Sequence, residues 1–140
     1  MSDKRQWDEY SQRRELNAAG WRIDQEDKVC FNSGSETNEH FICKAQVAHL
    51  LKCDGYRIDS EVSNKDETAE ADIVAYGKGE PPFVVECETN ITDEVTDKKL
   101  EQFYYNEPFC EVFLIEVQDM PVTRPEQLTW LAEELGVNYE

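Results

Sequence analysis

The chain has 140 residues, 39% of them hydrophobic, enough for one sizeable core and too few for two. Its 31 acidic residues against 14 basic ones give a formal charge of −17, spread along the whole length, which excludes an ordinary basic nucleic-acid-binding surface. No run approaches the ~18 apolar residues of a membrane span and the first residues lead into no apolar secretory segment, so the expectation is a soluble, cytoplasmic protein with no membrane partner.

At ordinary ionic strength such a surface repels nucleic acid, because the Debye length is about 8 to 10 Å; near 1 M salt it shrinks to about 3 Å and the repulsion largely disappears. The composition therefore fits a protein working in concentrated salt, such as a haloarchaeal cytoplasm, with an ordinary acidic cytosolic protein as the alternative. Five cysteines, an odd number without CxxC spacing, suit reduced, buried thiols rather than a disulfide framework.

Asp3 to Gly20 has helix-forming composition, a thin apolar stripe with Trp7 and Tyr10 three apart, and Gly20 as a stop, which together predict a peripheral helix. Trp21 to Phe31 is weakly strand-like, interrupted by DQEDK. Ser33 and Glu36 have capping-box spacing before a helix whose apolar positions from Phe41 to Leu51 surround most of its circumference. That helix is expected to be largely buried and to end at Gly55. Tyr56, Ile58, Ser60 and Val62 then alternate with Arg57, Asp59 and Glu61, as in a half-exposed strand.

EADIVAYG and FVVECETN predict two further strands across KGEPP, a turn suited to antiparallel neighbours. Thr92 or Asp93 can cap a helix to about Asn106 that turns Val95, Leu100, Phe103 and Tyr104 inward. CEVFLIEV, after Pro108, reads as a strand covered on both faces, and a last helix begins near Pro125 and stops at Gly136. A strand reached through a crossover helix lies parallel to its predecessor. The expected product is an α/β fold, a mixed four-stranded sheet with helices on both faces. It forms a single domain, 1–140, with an N-terminal extension over 1–33, a core over 34–117 and a C-terminal helix over 118–140.

Within VVECETN, Glu86 and Glu88 lie two apart and so share one face of an extended strand, about 6.6 to 7 Å from each other. Desolvating two carboxylates together is costly unless one is protonated or a cation joins them. A hard divalent ion such as Mg2+ removes the difficulty, since it takes one or two carboxylates plus waters. Asp72 opens the strand that KGEPP folds back beside this one, so antiparallel pairing brings it near Glu86 or Glu88, and the backbone carbonyl of Cys87 can add a ligand.

Plainer readings stand beside this one. Glu86 and Glu88 can face solvent at a strand end, paired with lysines such as Lys98 or Lys99; Asp72 can be a simple strand-start residue, and Glu39 a favourable charge in the first turn of a helix. His40, Cys43, His49 and Cys53 are zinc-ligand types, but on one helix the first two project ~130° away from the last two, so they read as buried thiols and surface or core-edge histidines. Cys87 points opposite to its glutamate neighbours and reads as core rather than nucleophile, and Trp7 and Trp130 read as packing residues.

Asp72, thirteen intervening residues, then Glu86-Cys87-Glu88, after a helix start at Glu39 and before an amphipathic helix, resembles the PD-(D/E)XK superfamily of restriction-endonuclease-like nucleases. The resemblance spans roughly residues 36 to 117 and includes the αβββαβ order. The chain is also similar in style to small acidic proteins of haloarchaea and their viruses. What the resemblance implies is a restriction-endonuclease-like core with catalytic Glu39, Asp72, Glu86 and Glu88. It further implies Mg2+ or Mn2+ held by Asp72, Glu86 and the Cys87 backbone carbonyl, DNA as substrate, a homodimer pairing two sites, and a host cytoplasm if the protein is viral.

Glu88 stands where the family's lysine orients or activates the attacking water. A role for Glu88 as general base or second-metal ligand stays open, as does a lysine from a neighbouring helix, with Lys44, Lys98 and Lys99 as candidates. The alternative is a catalytically inactive protein of this fold acting as a nucleic-acid-processing accessory, a scaffold or an acidic DNA mimic.

Overall fold

The computed structural model describes residues 2–23, 29–30, 36–66, 69–104 and 109–138. Among these residues the elements run α1 (Ser2–Ala18), α2 (Asn38–Cys53), β1 (Arg57–Ser63), β2 (Glu70–Tyr76), β3 (Phe83–Glu88), α3 (Asp93–Lys99), β4 (Val112–Glu116) and α4 (Arg124–Leu135). A π-helical turn, Leu100–Tyr104, prolongs α3. No helix of the described residues is long and apolar enough to cross a membrane.

Local chemistry sets most of these boundaries. Thr37, not Ser33, caps α2: its hydroxyl oxygen accepts the His40 backbone N–H at 3.2 Å, while Ser33 lies outside the described residues. Thr92 caps α3 through the Val95 N–H, and Thr123 caps α4, whose first turn carries Pro125 and whose end is closed by Gly136 in the left-handed conformation at φ +70°. The expected strand from Trp21 is reduced, among the described residues, to one bridge between Trp21 and Asn64; residues 24–28 and Phe31 fall outside them.

The four strands form one mixed sheet in the order β1-β2-β3-β4, with β1 and β2 antiparallel, β2 and β3 antiparallel, and β3 and β4 parallel. Helices cover both faces. On one, Val47 and Leu51 of α2 and Leu131 of α4 pack against Ile58, Ile73 and Val85. On the other, Leu16 of α1 joins Trp21, Phe103 and Phe109 over Val74 and Val84. The Trp21 ring lies 5.6 Å from Phe103 and 5.1 Å from Phe109 between centroids, and the full burial of Phe103 contributes about 2–3 kcal/mol. Gln12 fastens α1 to the β2–β3 turn, accepting the Gly77 N–H at 2.7 Å and donating to the Glu80 carbonyl at 2.5 Å.

The pleat breaks at one place. Ile58 and Val62 have the same parity along β1 yet belong to opposite faces, and Ala71 and Ile73 do the same along β2. Between them lies Glu61, with φ +52°, opposite Asp72 in a register that runs from Ser60–Ile73 to Val62–Ala71. A left-handed non-glycine residue costs about 1–2 kcal/mol. The other side of β2 opens at the same point, because its ladder with β3 stops at the Ile73–Val85 pair.

Candidate active site

Where the β2–β3 ladder stops, the next two residues exchange side chain for backbone. The Asp72 N–H donates to Glu86 Oε2 at 2.6 Å, and the Cys87 N–H donates to Asp72 Oδ2 at 2.8 Å. The two carboxylates are thus turned toward each other at a fork in the sheet, which opens a cleft of about 290 Å3. Glu36, Glu61, Glu70, Asp72, Glu86 and Glu88 bring six carboxylates to this cleft against two cationic side chains, His40 and Lys99.

Glu86 is 1% exposed. Burial first, then the neighbouring Asp72 charge, push its carboxyl up to about 8, although Lys99 pulls the other way. Lys99 Nζ lies 2.7 Å from Glu86 Oε1 and 3.4 Å from Glu88 Oε1. Burial lowers the Lys99 pKa, but Glu86 and Glu88 outweigh it and leave the ammonium above its ordinary range. Of the three candidate lysines it is therefore Lys99 that stands at the two glutamates. Lys98 is exposed, and Lys44 faces Glu36 and Glu61 instead.

His40 is the residue that sequence reasoning placed at a surface or core edge. It projects from the first turn of α2 into the cleft, with Nε2 at 2.6 Å from the Cys87 carbonyl and 3.3 Å from Asp72 Oδ2. Its Nδ1 lies 2.5 Å from Glu36 Oε1. Both ring nitrogens face acceptors, which calls for a proton on each. The hydrogen bond to Asp72 leads in raising its pKa to about 9, against the lowering effect of burial. A histidine raised from 6.5 to about 9 gives stability that is whole below pH ~6.5 and is lost as pH rises through 9. Without divalent ions, His40→Asn is expected to flatten that fall, up to about 3 kcal/mol, in urea denaturation from about pH 6 to about pH 10.

Asp72, Glu86 and Glu88 meet in the cleft. Glu39 does not: it is exposed and absent from the cleft's lining, because the helical period sends His40 and Lys44 inward and turns position 39 about 100° away. Cys87 is 1% exposed and turned into the opposite core face, its Sγ 3.2 Å from Cys43 Sγ. The signal for His40 was the i, i+4 spacing to Lys44, two polar residues on one stripe of a largely buried helix, with Glu36 just before its cap.

Asp72, Glu86 and the Cys87 carbonyl are hard oxygen donors of the kind Mg2+ and Mn2+ take, and six carboxylates outnumber His40, Lys99 and the Lys44 that lies behind Glu36 and Glu61. By ligand type the residues fit such an ion. Among the described residues no three His, Cys, Asp or Glu side chains are placed to hold a metal; the set here is two carboxylates with a backbone carbonyl. The arrangement defines a deeply acidic cleft at a sheet fork in an α/β fold. No family model matches the chain, and neither curated proteins nor solved structures give a match.

Proposed function

We propose that the protein is a metal-dependent nuclease of the restriction-endonuclease-like kind, hydrolysing DNA phosphodiester bonds in concentrated salt. The observation that carries this reading is the convergence of Asp72, Glu86, Glu88 and Lys99 with the Cys87 carbonyl in one polar cleft. Asp72, Glu86 and the Cys87 carbonyl would hold Mg2+ or Mn2+, which when bound polarises the phosphate and lowers the pKa of a coordinated water.

The chain's own residues supply the remainder. Lys99 neutralises Glu86 and brings its ammonium to the position left open by Glu88, where it can face developing phosphate charge. Glu88, with a quarter of its side chain exposed, accepts the proton of the attacking water at its carboxylate. His40 holds the Cys87 carbonyl and Asp72 in place through Nε2–H, and its charge lies beside the Asp72 carboxylate. High salt removes the long-range repulsion between DNA and the −17 chain.

The test is cleavage of linear, branched and single-stranded DNA in high salt with Mg2+ or Mn2+, for wild type, Asp72→Ala and Glu86→Ala. Metal-dependent cutting by wild type alone supports the proposal; cutting that survives both substitutions sinks it. A second reading is favoured by the internal pairing of the site carboxylates with His40 and Lys99 and by the formal charge of −17: an inactive protein of this fold that mimics DNA charge. Its signature is no cleavage together with binding to a basic DNA-binding protein rather than to DNA.

A further inference from the structure

Glu36 precedes the Thr37 cap of α2, a position usually open to solvent, yet its side chain is 2% exposed. One of its oxygens, Oε1, meets two donors: His40 Nδ1 at 2.5 Å and Lys44 Nζ at 2.7 Å. Lys44 is fully buried and has a second partner in Glu61, the left-handed residue at the break in β1. The contacts thus run from Glu61 through Lys44 and Glu36 to His40, and end where the imidazole meets the Cys87 carbonyl and Asp72.

A ring held at one nitrogen can still swing about its terminal torsion, which is broad and soft. Held at both nitrogens it is fixed in orientation. A carboxylate behind a histidine does this at many sites, and loss of such a partner typically costs 10- to 100-fold in activity. The local cost is visible as well, since strained backbone persists where surrounding structure over-determines it, and here Lys44 ties Glu61 to the interior.

We propose that Glu36 is a positioning residue of this cleft: anchored by Lys44, it fixes the His40 ring against the Cys87 carbonyl and Asp72, and so holds in place the two groups proposed to take the metal. The functional half of this inference rests on the nuclease reading; the geometric half does not. Glu36→Leu is the informative variant because it removes the acceptor oxygen while Lys44 keeps Glu61 as its partner and need not be left buried alone.

The experiment pairs kinetics with a crystal structure of Glu36→Leu. The expected result is a fall in kcat of about 10- to 100-fold with KM for DNA within about two-fold of wild type. In the crystal the His40 ring should be turned away from the Cys87 carbonyl. A wild-type kcat, or a ring still seated on that carbonyl, overturns the proposal, as does a loss confined to KM. Should wild type cut no DNA with either metal, the nuclease reading fails by itself. The ring position then decides alone whether Glu36 orients His40.

Discussion

Lys44→Met is expected to lower folding stability by about 3–5 kcal/mol, the usual cost of removing one partner from a buried ionic group. Lys44 is fully buried, and Glu36 and Glu61 together outweigh the burial that would otherwise lower its pKa. Methionine matches the length of the stem but leaves Glu61 without this cation and Glu36 with His40 alone. Burial already pushes the Glu61 carboxyl up to about 7, against the pull of Lys44. Without Lys44 the Glu61 carboxylate should take up a proton more readily, so the loss should shrink as pH falls. Urea denaturation at about pH 8 and about pH 5 reads this directly. A loss below about 1 kcal/mol at the higher pH would show that the buried network is not held by charge.

Glu86→Gln is expected to separate activity from stability. Cleavage should fall at least about 100-fold, because the neutral amide is a weak donor to a divalent ion and removes the charge facing Lys99. Stability should move the other way. An acid raised to about 8 from an ordinary 4.5 destabilises the fold as a carboxylate; that cost is absent below pH ~4.5 and complete above 8, so the wild type loses stability as pH rises through this window. The amide removes the slope, and Lys99 keeps Glu88 as its partner at 3.4 Å. Above pH ~8, without divalent ions, the variant should therefore be at least as stable as the wild type. A variant that is markedly less stable there would mean that the Glu86–Lys99 pair is a net stabilising ion pair rather than a costly one.

Much of the fold could be read from the sequence because its signals are local. The apolar circumference of α2, the KGEPP turn, the Thr92 start of α3 and the Pro125 and Gly136 ends of α4 each depend on neighbours within a few residues. The approach of Asp72 to the Glu86–Glu88 pair was legible as well, since an antiparallel turn brings the two strands side by side, but which glutamate it meets depends on a register the turn alone leaves open. What was not legible depends on contacts far apart in the chain. The left-handed kink at Glu61 has no local signature, and without it β1 alternates to its end.

The placement of Glu39 outside the cleft was not legible for a related reason. Counting from the motif fixes the helix but not the side of it that faces the sheet, and the structure turns Glu36, His40 and Lys44 inward instead. His40 was obscured by its company with Cys43, which invited a zinc comparison and then a dismissal. Its true neighbours, the Cys87 carbonyl and Asp72, are 47 and 32 positions away. Lys99 could be named but not chosen, because α3 can rotate about its axis without changing its sequence pattern.

The reading of the cleft as a divalent-ion centre is tested most directly by Mn2+ binding to the whole chain in high salt, followed by electron paramagnetic resonance of the ion. Wild type should bind Mn2+ with release of a proton near pH 7, since Glu86 must give up its proton to serve as a ligand, and Asp72→Ala and Glu86→Gln should each abolish binding. Mn2+ binding of equal strength in all three proteins would place the ion elsewhere and contradict the account.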